Sequence, residues 1–206
     1  MPSPAQGLTQ PERVEESTRR LLQAAAELIV EKGWEATTAA EIGRRAGYSR
    51  AMVHARYGSK DAVLDAFQEV YVERLNPDPE PGATGLQQVL AHFDRVQAIH
   101  AEDAAVTRAM FVSAFEAVKT TSPLRDGVRT QLAAAAVKIE AGLRAGIADG
   151  SLRPDIDVDM ALRDITGSIF GIAFQWVVLP EDHDLGTELT QVCSRISATY
   201  GRRPQP

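Results

Sequence analysis

Apolar residues recur three and four positions apart over most of the chain, and that spacing predicts helices almost throughout. Val14, Leu21, Leu22, Ala25, Leu28 and Ile29 share one face of a first helix, which Gly33 is placed to stop. Thr38 and Glu41 stand at capping-box spacing and open a short helix that ends near Ala46. Gly47 turns the chain, and Ser49 caps a helix from Arg50 to about Arg56. Gly58 ends that helix, Ser59 caps the next, and Asp61 suits its positive end. This fourth helix is predicted to reach Leu75, with Val63, Leu64, Phe67, Val70 and Tyr71 on one face.

Residues 76–85 (NPDPEPGATG) hold three prolines and two glycines and read as a linker. Beyond it, helices are predicted over about 86–100, 103–119, 124–149, 158–178 and 185–200, with Pro123, Gly150, Pro154 and Pro180 among the breakers. No alternating strand pattern of useful length occurs, so the fold class is all-α. The expected organisation is a disordered tail over 1–11, a helix-turn-helix domain over 12–58, a helical effector-binding and dimerisation domain over 59–200, and a second disordered tail over 201–206.

The chain has 206 residues and a net charge of −6, which on its sum alone speaks against a nucleic-acid partner. Distribution changes that picture. Residues 11–60 carry nine Lys and Arg against seven Asp and Glu, and 39–60 carry five cations against Glu41 alone. A short basic island precedes an acidic body. The single cysteine, Cys193, permits no internal disulfide, which fits a reducing cytoplasm. No leader pattern is evident and no apolar run is long enough to span a bilayer. The greasy stretch Ile165–Leu179 is interrupted by polar residues and reads as a buried helix.

Two short helices joined by a tight turn, the second basic, are the recipe for a DNA-reading helix-turn-helix. Ile42, Ala46 and Val53 are placed to pack the pair together. Arg50 stands where it can reach a base edge or phosphate, with His54 one turn on and Ala51 able to meet a thymine methyl. Ser49 opens the reading helix, and the turn residue Tyr48 offers a hydroxyl to phosphate. Thr38 caps the first helix beside amides that can hold an anion. Arg44 or Arg45 is a further candidate, Tyr57 is a core residue whose hydroxyl can also serve as a contact, and Lys60 is a misplaced cation at a helix start that suggests a nearby phosphate.

The ordered set Ala25-Ala26, Gly33-Trp34, Thr37-Thr38, Glu41-Ile42, Ala46-Gly47-Tyr48-Ser49 and Tyr57-Gly58-Ser59-Lys60-Asp61, spread over 21–67, resembles the DNA-binding domain of the TetR family of repressors. A weaker likeness covers Gly146–Ile172. Ala51 stands where the family commonly has glycine, His54 where tyrosine is usual and Tyr57 where phenylalanine is usual. The first two departures alter the DNA-facing surface.

The resemblance implies a homodimer on a pseudo-palindromic duplex operator, released by a small molecule of unknown identity. Apolar residues surround helix 158–178, so a partner is expected to cover one side. Ile165, Ile169 and Trp176, with Leu189, Val192 and Ile196 of the last helix, are the expected dimer residues. Phe67, Phe93, Val96, Arg108, Phe111, Phe115, Phe174 and Gln175 are the expected ligand-pocket residues. The competing classes are an enzyme, an architectural DNA-binding protein, and an activator or ligand-independent regulator of the same fold. No G-x-S-x-G, P-loop, G-x-G-x-x-G or H-E-x-x-H pattern occurs, and the four histidines form no ligand pair, so neither catalysis, metal nor cofactor is expected.

Overall fold

The computed structural model describes residues 9–202, with the side chain of Glu73 excepted. Nine α-helices account for most of them: α1 (Gln10–Lys32), α2 (Ala39–Arg45), α3 (Arg50–Tyr57), α4 (Lys60–Phe67), α5 (Gly85–Glu102), α6 (Ala104–Glu116), α7 (Arg125–Asp149), α8 (Val158–Val178) and α9 (Leu185–Tyr200). No strand occurs among the described residues beyond a single bridge between Leu152 and Gly201. The chain folds as two compact units. One holds the residues up to Glu73 together with Ala105–Arg125; the other holds Arg74–Ala104 and the residues from Asp126 onward.

The tail expected over 1–11 lies mostly outside the described residues, and at its end the chain is already helical. Thr9 and Glu12 form a capping box, with Thr9 N donating to Glu12 Oε2 at 2.7 Å, and Pro11 sits in the first turn, where no N–H is required. At the other end the described residues Gly201 and Arg202 are held too, Arg202 N donating to Ser151 O at 3.0 Å; the rest of that tail lies outside the described residues.

In the first unit α1 packs on α2 and α4, α2 on α3, and α3 on α4. Leu21, Ala25, Ile29, Trp34, Ile42, Val53, Val63 and Phe67 are buried between them, and Val106, Ala109 and Met110 are the buried face of α6. The uninterrupted fourth helix expected to Leu75 is not what forms. After Phe67 the chain makes a π-helical turn over Gln68–Val72 and a 3₁₀ turn over Glu73–Leu75. One added residue shifts the helical phase by about 100°. Val70, expected on the buried face, is accordingly exposed.

In the second unit α9 packs against both α5 and α8. Val89, Phe93, Val96, Leu143, Ile165, Trp176, Leu189, Val192 and Ile196 are buried there. The segment read as a free linker is fastened to α7. Lys138 Nζ donates to Asn76 O at 2.7 Å and to Asp78 Oδ1 at 2.8 Å, and Asn76 Nδ2 donates to Gln131 Oε1 at 2.9 Å. Its prolines suit an extended path, and α7 satisfies the backbone carbonyls that such a path leaves open.

Candidate nucleic-acid interface

The paired helices are built by local rules. Thr38 caps α2 and Glu41 reaches back to it, Oε2 accepting from Thr38 N at 3.0 Å. Ser49 Oγ caps α3 by accepting from Met52 N at 3.2 Å. Between the helices, Gly47 adopts φ +80° and Tyr48 N donates to Gly43 O at 2.7 Å. Gly43 itself is required by closeness: a Cβ there would lie 2.8 Å from Ser49 O, so only glycine lets α2 approach the start of α3 this tightly. Ile42 and Val53 are fully buried at the joint and Ala46 nearly so.

With Val53 turned inward, α3 presents Arg50, Ala51, His54 and Ala55 to solvent. Ala55 was not among the expected contacts, yet it lies four residues after Ala51 on the same face. The ring of His54 is set by its surroundings. Its Nδ1 lies 2.8 Å from Gly58 O, and a carbonyl can only accept, so that nitrogen carries the hydrogen. Nε2 is then free to accept from Arg50 Nε, 3.4 Å away. The outward face thus offers a guanidinium backed by an oriented imidazole, between two alanines that allow close approach.

Of the five cations counted over 39–60, three are tied to residues outside their own helix. Arg45 makes a double contact with Glu31, at 2.6 and 2.8 Å, and reaches Glu27 at 3.1 Å. Arg56 binds back onto α1 through Ser17 Oγ at 2.7 Å, Val14 O at 3.1 Å and Thr18 Oγ1 at 3.2 Å. Lys60 Nζ donates to Trp34 O at 3.0 Å and lies 4.9 Å from the centre of the Trp34 ring. A carbonyl and an aromatic face thus partner the cation at this helix start. Arg44 and Arg50 are the two that extend outward with no carboxylate partner among the described residues.

Tyr48 and Tyr57 also depart from expectation. Both hydroxyls are buried rather than presented to solvent. Burial raises the Tyr57 phenol pKa, and Thr18 and Arg56 partly offset it. Thr38 and Ser49 are exposed but spend their side chains on capping. Glu41 is strongly perturbed: its hydrogen bond to Lys32 Nζ at 2.6 Å, followed by that to Thr38, pulls its carboxyl down to about 2.

The other expected sites are distributed as follows. Phe67, Arg108, Phe111 and Phe115 belong to the first unit, with Phe67 and Phe111 buried and Arg108 and Phe115 half-buried. Phe93, Val96, Phe174 and Gln175 belong to the second, where Phe93 and Val96 are buried but Phe174 (54%) and Gln175 are exposed. Among the expected dimer residues, Ile165, Trp176, Leu189, Val192 and Ile196 are buried in their own chain and Ile169 is half-buried. A buried side chain has no area left for a second chain to cover. The apolar surface of α8 is instead Met160, Phe174 and Val178, on one stripe with the exposed Gly167 and Gly171. Cys193 is half-buried, and desolvation, then Asp94, push its thiol up to about 11. Among the described residues no group of three His, Cys, Asp or Glu is placed to hold a metal, and no helix is long and apolar enough to cross a membrane.

A capped, glycine-tightened helix pair whose second member presents Arg50 and His54 to solvent, in an otherwise helical chain, defines a helix-turn-helix DNA-binding protein. Residues 21–67 match the family described as bacterial regulatory proteins, tetR family. Over that segment, under a quarter of its length, the chain is similar to TetR-family transcriptional regulators. It is 27% identical over 161 residues to the uncharacterized HTH-type transcriptional regulator YdeS of Bacillus subtilis, covering 77% of this chain and 78% of that one. Two solved structures share the fold. The SmeT–triclosan complex (SmeT being the repressor of a Stenotrophomonas maltophilia multidrug efflux pump) superposes with a TM-score of 0.74 at 23% identity, covering 91% of this chain and 93% of the other. FadR of Bacillus subtilis with stearoyl-CoA gives 0.69 at 22%, covering 87% and 97%.

Proposed function

We propose that this regulator is a cytoplasmic homodimeric repressor that grips a pseudo-palindromic operator through α3 of each copy. A small apolar molecule releases it. The carrying observation is the outward face of α3, where Arg50, Ala51, His54 and Ala55 stand clear while three neighbouring cations are tied down. Arg50 reads a base edge or phosphate, His54 supports it, and Arg44 supplies backbone charge. Two copies would set their reading helices about 34 Å apart, one helical turn of duplex. The stripe of Met160, Phe174 and Val178 on α8 supports such pairing, because nothing lies within 4 Å of a Cβ built at Gly167 or Gly171 and a partner helix can approach there. The ligands of the two structural relatives, triclosan and stearoyl-CoA, each carry a large apolar part, which supports an effector with apolar character. Release follows as a population shift: the ligand favours a form whose reading helices no longer match the groove spacing.

Binding-site selection from genomic DNA with purified protein, followed by anisotropy titration, tests this reading. A selected duplex is expected to bind far more tightly than random competitor, and Arg50→Ala and His54→Ala are expected to weaken it. Failure to prefer any duplex at modest salt overturns the proposal.

A further inference from the structure

The turn between α1 and α2 is held from a part of the chain that the reading helices do not include. Trp34, fully buried, follows Gly33 at the end of α1. Its backbone N–H donates to Glu116 Oε2, the last residue of α6, at 3.1 Å. The other carboxylate oxygen lies against Gly33, where a Cβ would come within 2.1 Å of Glu116 Oε1. Gly33 also has φ +81°, so both backbone and space reserve this position for glycine. The contact spans 82 residues of sequence.

The same turn is held from a second side. Lys60 Nζ, on α4, donates to the Trp34 carbonyl. Thr37, buried, donates Oγ1 to Gly33 O at 2.8 Å, and Thr37 N donates to Trp34 O at 3.0 Å. Lys119, just beyond α6, lies 4.0 Å from Glu35. Thr38, the cap of α2, comes next in the chain. The turn that leads into α2 is thus held both by Glu116 at the end of α6 and by Lys60 of α4.

We propose that Glu116 is a positioning residue for operator binding: its carboxylate holds the Gly33–Trp34 peptide and so fixes α2 and α3 in their reading arrangement, although it lies outside both helices and outside residues 21–67. This rests on the DNA-reading role proposed above. Removing the carboxylate leaves a buried backbone N–H without its acceptor, which the turn relieves by moving.

The test uses the full chain and its selected operator. Glu116→Ala is expected to weaken operator binding about tenfold, and Glu116→Gln, which keeps an acceptor oxygen, to restore most of it. Amide exchange is expected to quicken at Trp34, Thr37, Glu41 and Ile42 in the alanine variant and to stay unchanged in α8 and α9. Gly33→Ala must expel the same carboxylate, so the double variant Gly33→Ala/Glu116→Ala is expected to bind no worse than Gly33→Ala alone. Parent-like binding by Glu116→Ala overturns the inference. So does an equal loss in Glu116→Gln, or exchange that quickens uniformly over the whole chain, since each marks general destabilisation. A parent protein that binds no operator overturns the DNA-reading proposal instead, so the two failures are distinguishable.

Discussion

Charge on this surface is decided by partner as much as by residue type. Arg50 and Arg45 are five positions apart, yet one reaches solvent and the other is shared by two glutamates. Arg50→Ala is expected to lose about 1–3 kcal/mol of discrimination at one base pair, seen as a flattened preference in titrations against single-base operator variants. Lys60→Ala is expected to act differently. It removes the donor from a buried carbonyl, so thermal denaturation moves to lower temperature whether or not operator is present. Tyr48→Phe leaves operator affinity as it was, because the hydroxyl it deletes is buried. Glu41 carries a pH dependence. Its carboxyl is near 4.5 when unfolded and about 2 when folded, so its contribution is full above about 4.5 and is lost as pH falls through 2. Urea midpoints measured between pH 5 and 2 are expected to fall more steeply in the parent than in Glu41→Gln.

At the scale of elements, α2 and α3 are too short to persist alone and depend on their caps and their contact with each other. Thr38→Ala is expected to cost about 1 kcal/mol in denaturant unfolding, the ordinary value of an N-cap. Gly43→Ala strikes the joint itself. The added methyl meets the Ser49 carbonyl, a backbone atom that cannot step aside, and the expected loss is about 1–3 kcal/mol together with weakened operator binding. An alanine variant as stable as the parent, read by the same unfolding curve, would contradict the close approach. The π-helical turn after α4 is another element-scale feature: it re-phases the chain and brings Val70 to the surface.

At the scale of the molecule, the apolar stripe of α8 is the feature most in need of a second chain. Met160 and Phe174 are 63% and 54% exposed, which is unusual for such large apolar side chains on one helix face. Analytical ultracentrifugation at micromolar concentration is expected to give a dimer, and Phe174→Asp a monomer that keeps its helicity by circular dichroism. A parent that sediments as a monomer removes the dimer from the proposal and leaves the α3 face unaffected.

Helix phase outside the turn after α4, the caps at Thr38, Ser49 and Ser59, and the turn at Gly47 were legible in the chain. Each depends on residues within four positions of one another, and such short-range preferences survive in any tertiary setting. Only the folded structure decided which cations remain available, because Arg45 finds Glu31 across 14 residues, Lys60 finds Trp34 across 26 and Arg56 finds Ser17 across 39. It also decided that the dimer residues expected on α8 and α9 are largely interior, since a helix apolar on both sides does not itself declare which side its own chain will cover. The tie between Glu116 and Trp34 is the extreme case: no periodicity connects positions 82 apart, and the pairing exists only because compact folding brings the end of α6 to the buried turn.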